Sequence, residues 1–165
     1  MVNNINPMLL SILFLPFVGA FLIKLLPPKH AIRAGFIILL LQLPCFPPVV
    51  KHLVVGKVLQ ANIYGVFADL LGVCFRCNLI SLIFAFTSVF IGFFIYLFST
   101  GYFIGEKEEL QQTFAFWGLA SVGSMMGVVF SDNLISLYLF WQLAAVCSWR
   151  LMGLCRTEQH LLKAD

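Results

Sequence analysis

Charge is scarce in this chain. Ten Lys and Arg and seven Asp and Glu amount to 10% of its 165 residues, whereas a soluble domain carries about 25%. A water-facing surface cannot be built from that inventory, so a soluble globule is excluded. Basic patches interleaved with aromatics are missing as well, which removes nucleic acid as a partner. His30, His52 and His160 lie in separate connections with no spacing that converges on a metal, and no pair of mid-membrane histidines exists to hold haem. A glycine-rich phosphate loop is also lacking. The five cysteines are odd in number, and Cys45 and Cys147 sit inside apolar stretches, so no disulfide framework is expected. Cys74 and Cys77 form a C-x-x-C pair, but a metal centre would need at least two more convergent ligands. No cofactor, metal site or active site is therefore expected in this chain. The first apolar run lacks a preceding basic region and a small-residue cleavage site, so it reads as a retained helix rather than a removed leader.

What fills the chain instead is hydrocarbon. Hydrophobic residues make up 61%, the mean hydropathy is +1.00, and the 18 phenylalanines outnumber all charged residues. Such a chain must be solvated by lipid or by other membrane subunits. Crossing a hydrocarbon core of roughly 30 Å takes about 20 residues of helix. Five runs qualify, at about 8–26, 31–50, 79–98, 113–130 and 134–154. Pro44, Pro47 and Pro48 break the far end of the second. Residues 51–78 mix Val, Tyr and Phe with Gly, Asn and Asp, which suggests a short hairpin at the membrane surface. Residues 99–112 form a polar loop. The expected fold is all-α and integral to the membrane, one domain over 1–165.

Orientation follows from basic residues in the connections. With five spans, Lys24, Lys29, Arg33, Lys107, Arg150, Arg156 and Lys163 fall on one side and Lys51, Lys57 and Arg76 on the other. Seven against three predicts an N-terminus outside and a C-terminus in the cytoplasm.

Polar side chains within apolar runs are where function concentrates in membrane proteins. Gln142 lies about 12 Å along the fifth run at 1.5 Å per residue, close to the midplane. Its amide needs a partner, either through a helix–helix hydrogen bond or along a hydrated pathway. It can orient water but cannot carry a proton by ionising. Asn78 and Ser81 open the third run, where capping or an interface role is expected. Asp132 and Asn133 precede the fifth run in capping position. Arg150 is able to snorkel from the cytoplasmic end or to pair with an acid, and Ser148 lies nearby. Gln142, Arg150, Ser148, Asn78 and Ser81 are thus the candidate hydrophilic-axis or helix-interface residues. Gly123 and Gly127 form a small-xxx-small pair that allows close helix packing.

A series of motifs then carries a resemblance. Tyr96-Leu-Phe-Ser-Thr-Gly-Tyr102-Phe-Ile-Gly-Glu106 leads to Phe114-Ala-Phe-Trp117 and Ser124-Met-Met-Gly127. Asp132-Asn-Leu-Ile-Ser-Leu-Tyr138-Leu-Phe-Trp141-Gln142 and Cys147-Ser-Trp-Arg-Leu-Met-Gly153 follow. Their order and spacing resemble the N-terminal portion of the antiporter-like, proton-translocating membrane subunits of respiratory complex I. They resemble equally their relatives in membrane-bound nickel–iron hydrogenases, formate hydrogenlyases and multisubunit sodium/proton antiporters. Upstream, Pro16, Gly19 and Asn78-Leu-Ile-Ser81 fit more loosely, the last standing where the family commonly has Asp-x-x-Ser.

The resemblance implies a membrane-arm subunit of a complex I-like or hydrogenase-like oxidoreductase, or else a component of a multisubunit sodium/proton antiporter. Its partners would be lipid and the other membrane subunits of a respiratory or hydrogenase complex. Its location would be an energy-transducing membrane, that of a bacterial or archaeal cell or an organellar inner membrane. Where the family usually has Glu and Asp, this chain has the neutral amides Gln142 and Asn78. Family members also continue through further helices, one bearing a lysine that works with that Glu. The expectation is a shortened, non-catalytic subunit that anchors or seals a larger complex, or one part of a split ion-translocating subunit.

Overall fold

In the computed structural model, the described backbone comprises residues 7–54, 59–62 and 74–161, and the described side chains are those of 8–54 and 74–154. Among the described residues six helices run in order: α1 (Pro7–Leu25), α2 (Ala31–Gln42), α3 (Phe46–Val54), α4 (Leu79–Tyr102), α5 (Glu108–Phe130) and α6 (Leu134–Leu161). Short 3₁₀ turns at Pro28–His30 and Leu43–Cys45 run into α2 and α3, so Pro28–Val54 is one continuous span. The proline-rich end therefore does not stop the helix. Pro44 lacks an N–H, and the chain tightens to 3₁₀ around it. Pro47 and Pro48 fall in the first turn of α3, where backbone N–H groups have no intrahelical acceptor anyway. Among the described residues, five spans are long and apolar enough to cross a membrane.

At the polar connection between them, α4 and α5 both extend beyond their apolar runs. α5 starts at Glu108 because Glu108 and Glu109 suit the positive end of the helix dipole. α4 continues to Tyr102 while Ser99 and Thr100 fold their hydroxyls back onto the Ile95 and Leu97 carbonyls, at 2.7 Å each. Gly105, at φ 93°, then makes the turn, a conformation that only glycine adopts freely.

β1 (Leu59–Asn62) and β2 (Cys74–Cys77) pair antiparallel, with Leu59 opposite Cys77 and Asn62 opposite Cys74. The segment expected to join them as a hairpin lies outside the described residues. The ladder abuts the α5–α6 turn, since Phe75 bridges to Ser131 and the Asp132 N–H donates to the Cys74 carbonyl at 3.0 Å. It marks one end of the bundle. The α1–α2 and α4–α5 connections mark the other.

α5 is the axis. It packs against α1, α2, α4 and α6, burying Ala115, Leu119, Val122, Met126 and Phe130 at helical spacing and Ala120, Gly123 and Gly127 beside them. The small residues let neighbouring side chains close on its backbone: a methyl at Gly127 would overlap the Phe140 ring of α6. Among its described side chains α6 turns only Ser136, Ala144 and Cys147 fully inward, and it keeps 17% of the span Leu134–Leu154 buried, against 50% for α5. The outside is as apolar as the inside, with Phe21, Phe84, Ile91, Phe98 and Trp141 exposed. Exposed apolar surface on that scale is what hydrocarbon solvates.

Candidate functional site

Three neutral polar side chains stitch the bundle. Pro16 sits inside α1 and has no N–H to offer the carbonyl of Ile12, four residues back. Fully buried Gln42, at the end of α2, fills that role: its Nε2 donates to the Ile12 carbonyl at 2.9 Å and to Met126 Sδ at 3.2 Å. One amide thereby ties α1, α2 and α5. Its Oε1 is buried without a hydrogen-bond partner among the described residues.

Tyr96 is the second. It is buried between α2, α4 and α5, and its hydroxyl donates to the Ala115 carbonyl. Gly35 and Gly118 make the space, since a methyl on either would run into the tyrosine. Gln112 is the third. The last carbonyls of a helix have no internal donors, and Gln112 Nε2 supplies them at the end of α1, donating to Ile23 at 3.0 Å and Leu26 at 3.1 Å. Beside it, the Lys24 ammonium lies 4.7 Å from the centre of the Phe116 ring.

The five residues singled out in the sequence are spread along α4 and α6 rather than gathered at one point. Gln142 is exposed on the face of α6 turned away from α5 and makes no side-chain hydrogen bond to a described residue. Arg150 places its guanidinium 5.4 Å from the Trp117 ring and 5.9 Å from that of Trp149; cation–π attraction holds it in place of an acid. Ser148 donates to the Ala144 carbonyl of its own helix at 3.0 Å. Asn78 occupies the N-cap of α4, but its side chain makes no capping hydrogen bond. Ser81 is half-buried one turn further on.

At the ladder end the roles divide. Asn133 caps α6, its Oδ1 accepting from the Ile135 N–H at 3.2 Å. Asp132 instead pairs with Arg76 at 3.1 Å. Phe75 and Cys77 share the buried face of β2, Phe75 lying 5.8 Å from the Phe140 ring, while Cys74 turns the other way. Alternation along a strand sends residues three apart to opposite faces. Cys74 and Cys77 are accordingly free thiols. Burial pushes the Cys77 thiol up to about 12, which makes it a poor nucleophile. Among the described residues, no three His, Cys, Asp or Glu side chains could hold a metal ion.

Gln42, Tyr96 and Gln112 carry the interior polar contacts, yet the sequence reading did not single them out. The signal for Gln42 was present: a proline inside an apolar helix announces an orphan carbonyl one turn earlier, and a glutamine in the next apolar run is a natural donor. Chemically the set is uniform. The buried polar side chains among the described residues are Gln42, Tyr96, Ser99, Ser124 and Ser136. They position helices and accept or donate hydrogen bonds, and none of the five carries a formal charge.

Five apolar spans, four of them packed around a central one and joined by amides and hydroxyls, define a multi-pass helical membrane protein. Its relatives are specific. The chain is 34% identical over 150 residues to the A-type sodium/proton antiporter subunit of Alkalihalophilus pseudofirmus, an alignment covering 88% of this chain and 17% of that protein. It is 39% identical over 80 residues to the A1-type sodium/proton antiporter subunit of Staphylococcus haemolyticus, covering 48% of this chain and 10% of that protein. With the A1-type subunit of Staphylococcus aureus it shares 41% identity over 69 residues, covering 42% of this chain and 8% of that protein. No family profile matches the chain. The chain is thus a relative of the antiporter-like membrane subunits, the superfamily that these sodium/proton antiporter proteins share with complex I and hydrogenases. It spans less than a fifth of the length of these curated relatives.

Proposed function

We propose that this chain is a helical module of a multisubunit sodium/proton antiporter, packing against further membrane helices through the outer face of α6. The observation that carries the reading is the 34% identity over 150 residues to an A-type antiporter subunit. Chemistry on α6 supports it. Gln142 is exposed near mid-span without a hydrogen bond to a described residue. An unsatisfied polar group in hydrocarbon costs several kcal/mol. A neighbouring membrane helix offering a donor or acceptor removes that cost.

In this reading the module holds and seals, and the neutral amide of Gln142 does not itself ionise. A carboxylate there would respond to a nearby cation by changing protonation; an amide keeps the size and the hydrogen bonding and discards the switch. A membrane arm of a complex I-like or hydrogenase-like oxidoreductase is the second reading, favoured by motifs from Tyr96 to Gly153 that both groups share.

Purification through an affinity tag on this chain, in mild detergent, separates the two. Membrane polypeptides alone, without iron–sulfur or nickel proteins, are the expected outcome. Stoichiometric iron–sulfur or nickel would transfer the chain to a redox complex, and a monodisperse monomer active in transport would end both readings. In the intact assembly, Gln142→Glu leaves sodium/proton exchange unchanged if the module only holds and seals.

A further inference from the structure

A groove of about 670 Å³ opens between α4 and α6 over the start of α5, lined by Phe94, Phe98, Phe103, Phe114, Leu151 and Leu154 among others. We infer that it is a binding site for one acyl chain of a membrane phospholipid, drawn from the leaflet at the Glu108 end of the bundle. Three observations point there. The volume lies within the range of about 300–1,000 Å³ found for ligand sites. Among the described residues, no charged side chain lines it. Two hydroxyl-bearing residues line it: Ser99, whose hydroxyl already donates to the Ile95 carbonyl at 2.7 Å, and Tyr102, the last residue of α4. The site therefore offers dispersion and little else, which suits hydrocarbon and not a polar ligand.

Length decides between a lipid and a helix. Along α4 the lining runs from Phe94 to Phe103 and does not continue toward the ladder end. Nine residues of helix are about 14 Å, roughly half of a hydrocarbon core of about 30 Å. A docked transmembrane helix would need a groove along the whole span. An acyl chain needs one leaflet's depth, and that is what the groove provides. The inference rests on the chain crossing a membrane and not on the antiporter reading, so either can fail without the other.

Photocrosslinking tests it. Phe98→p-benzoylphenylalanine puts a probe on an exposed groove residue, and Ile83→p-benzoylphenylalanine puts the same probe on exposed α4 surface near the ladder end. The full assembly is extracted, exchanged into lipid-free detergent, illuminated and analysed by mass spectrometry. A phospholipid adduct several-fold more abundant at position 98 than at 83 is expected. Adding Leu154→Trp, which fills the groove, should lower it several-fold while elution volume stays the same. A polypeptide adduct at position 98, equal lipid yields at both positions, or an adduct indifferent to the added tryptophan would overturn the assignment.

Discussion

Gln42 donates its amide to the carbonyl of Ile12, the group that Pro16 leaves without an in-helix partner. Two irregularities in adjacent spans thus cancel. A proline is tolerated in a membrane helix where a neighbour satisfies the freed carbonyl, and here that neighbour is identified to the atom.

The pairing predicts a specific coupling. Gln42→Leu leaves a buried carbonyl unmet and should cost about 1–3 kcal/mol. Pro16→Ala restores an N–H within α1, so the same Gln42→Leu change should cost markedly less in that background. A double-mutant cycle on denaturation midpoints in mild detergent measures the difference. Equal costs in the two backgrounds would mean that the Ile12 contact carries no stability.

Tyr96 makes a second test, because its ring and its hydroxyl have separate partners. Tyr96→Phe keeps the ring between Gly35 and Gly118 and loses only the bond to the Ala115 carbonyl, a loss of about 0.5–1.5 kcal/mol. Gly35→Ala drives a methyl into the ring and should cost more, about 1–3 kcal/mol. Tyr96→Leu should partly rescue Gly35→Ala, and thermal unfolding of the four variants shows whether it does.

These contacts show where sequence reading reached and where it stopped. Apolar runs revealed the five spans, because hydrocarbon solvation is a composition property that neighbouring residues share. Motif order from Tyr96 to Gly153 revealed the relatives. The polar stitching was less visible. Tyr96 and Gln112 act through partners 19 and 89 residues away, and spacing along the chain carries no trace of such distances; Gln42, 30 residues from the Ile12 carbonyl, is signalled by Pro16 in the neighbouring apolar run. The helix ends at Tyr102 and Glu108 were likewise set by hydroxyls folded onto backbone and by the helix dipole, and not by hydropathy. Asp132 read as a cap, and the structure gives capping to Asn133 because the strand presents Arg76 to its neighbour.

The Arg76–Asp132 pair should matter little to stability. Its side chains are 44% and 34% exposed, so water and salt screen it, and exposed pairs contribute about 0–1 kcal/mol. Asp132→Asn should lower the unfolding midpoint slightly at low salt and not at all in high salt. A loss that persists in high salt would show that the turn depends on more than the ion pair.

Cys74 and Cys77, close in sequence, should behave as chemical opposites. Cys74 is half-buried on one face of β2 and Cys77 fully buried on the other, with burial pushing the Cys77 thiol up to about 12. The thiolate is the reactive form, so maleimide at neutral pH should label Cys74 well before Cys77. The sign of the linked stability follows from the same shift. Above the ordinary thiol value of about 9, an unfolded chain gives up the proton that the folded one still holds, and stability falls with rising pH. This contribution is complete below about 9 and is lost as pH climbs toward about 12. Unfolding midpoints from pH 8 upward should therefore fall more steeply for the unaltered chain than for Cys77→Ala. Parallel slopes would mean that Cys77 is reached by water in the folded membrane protein.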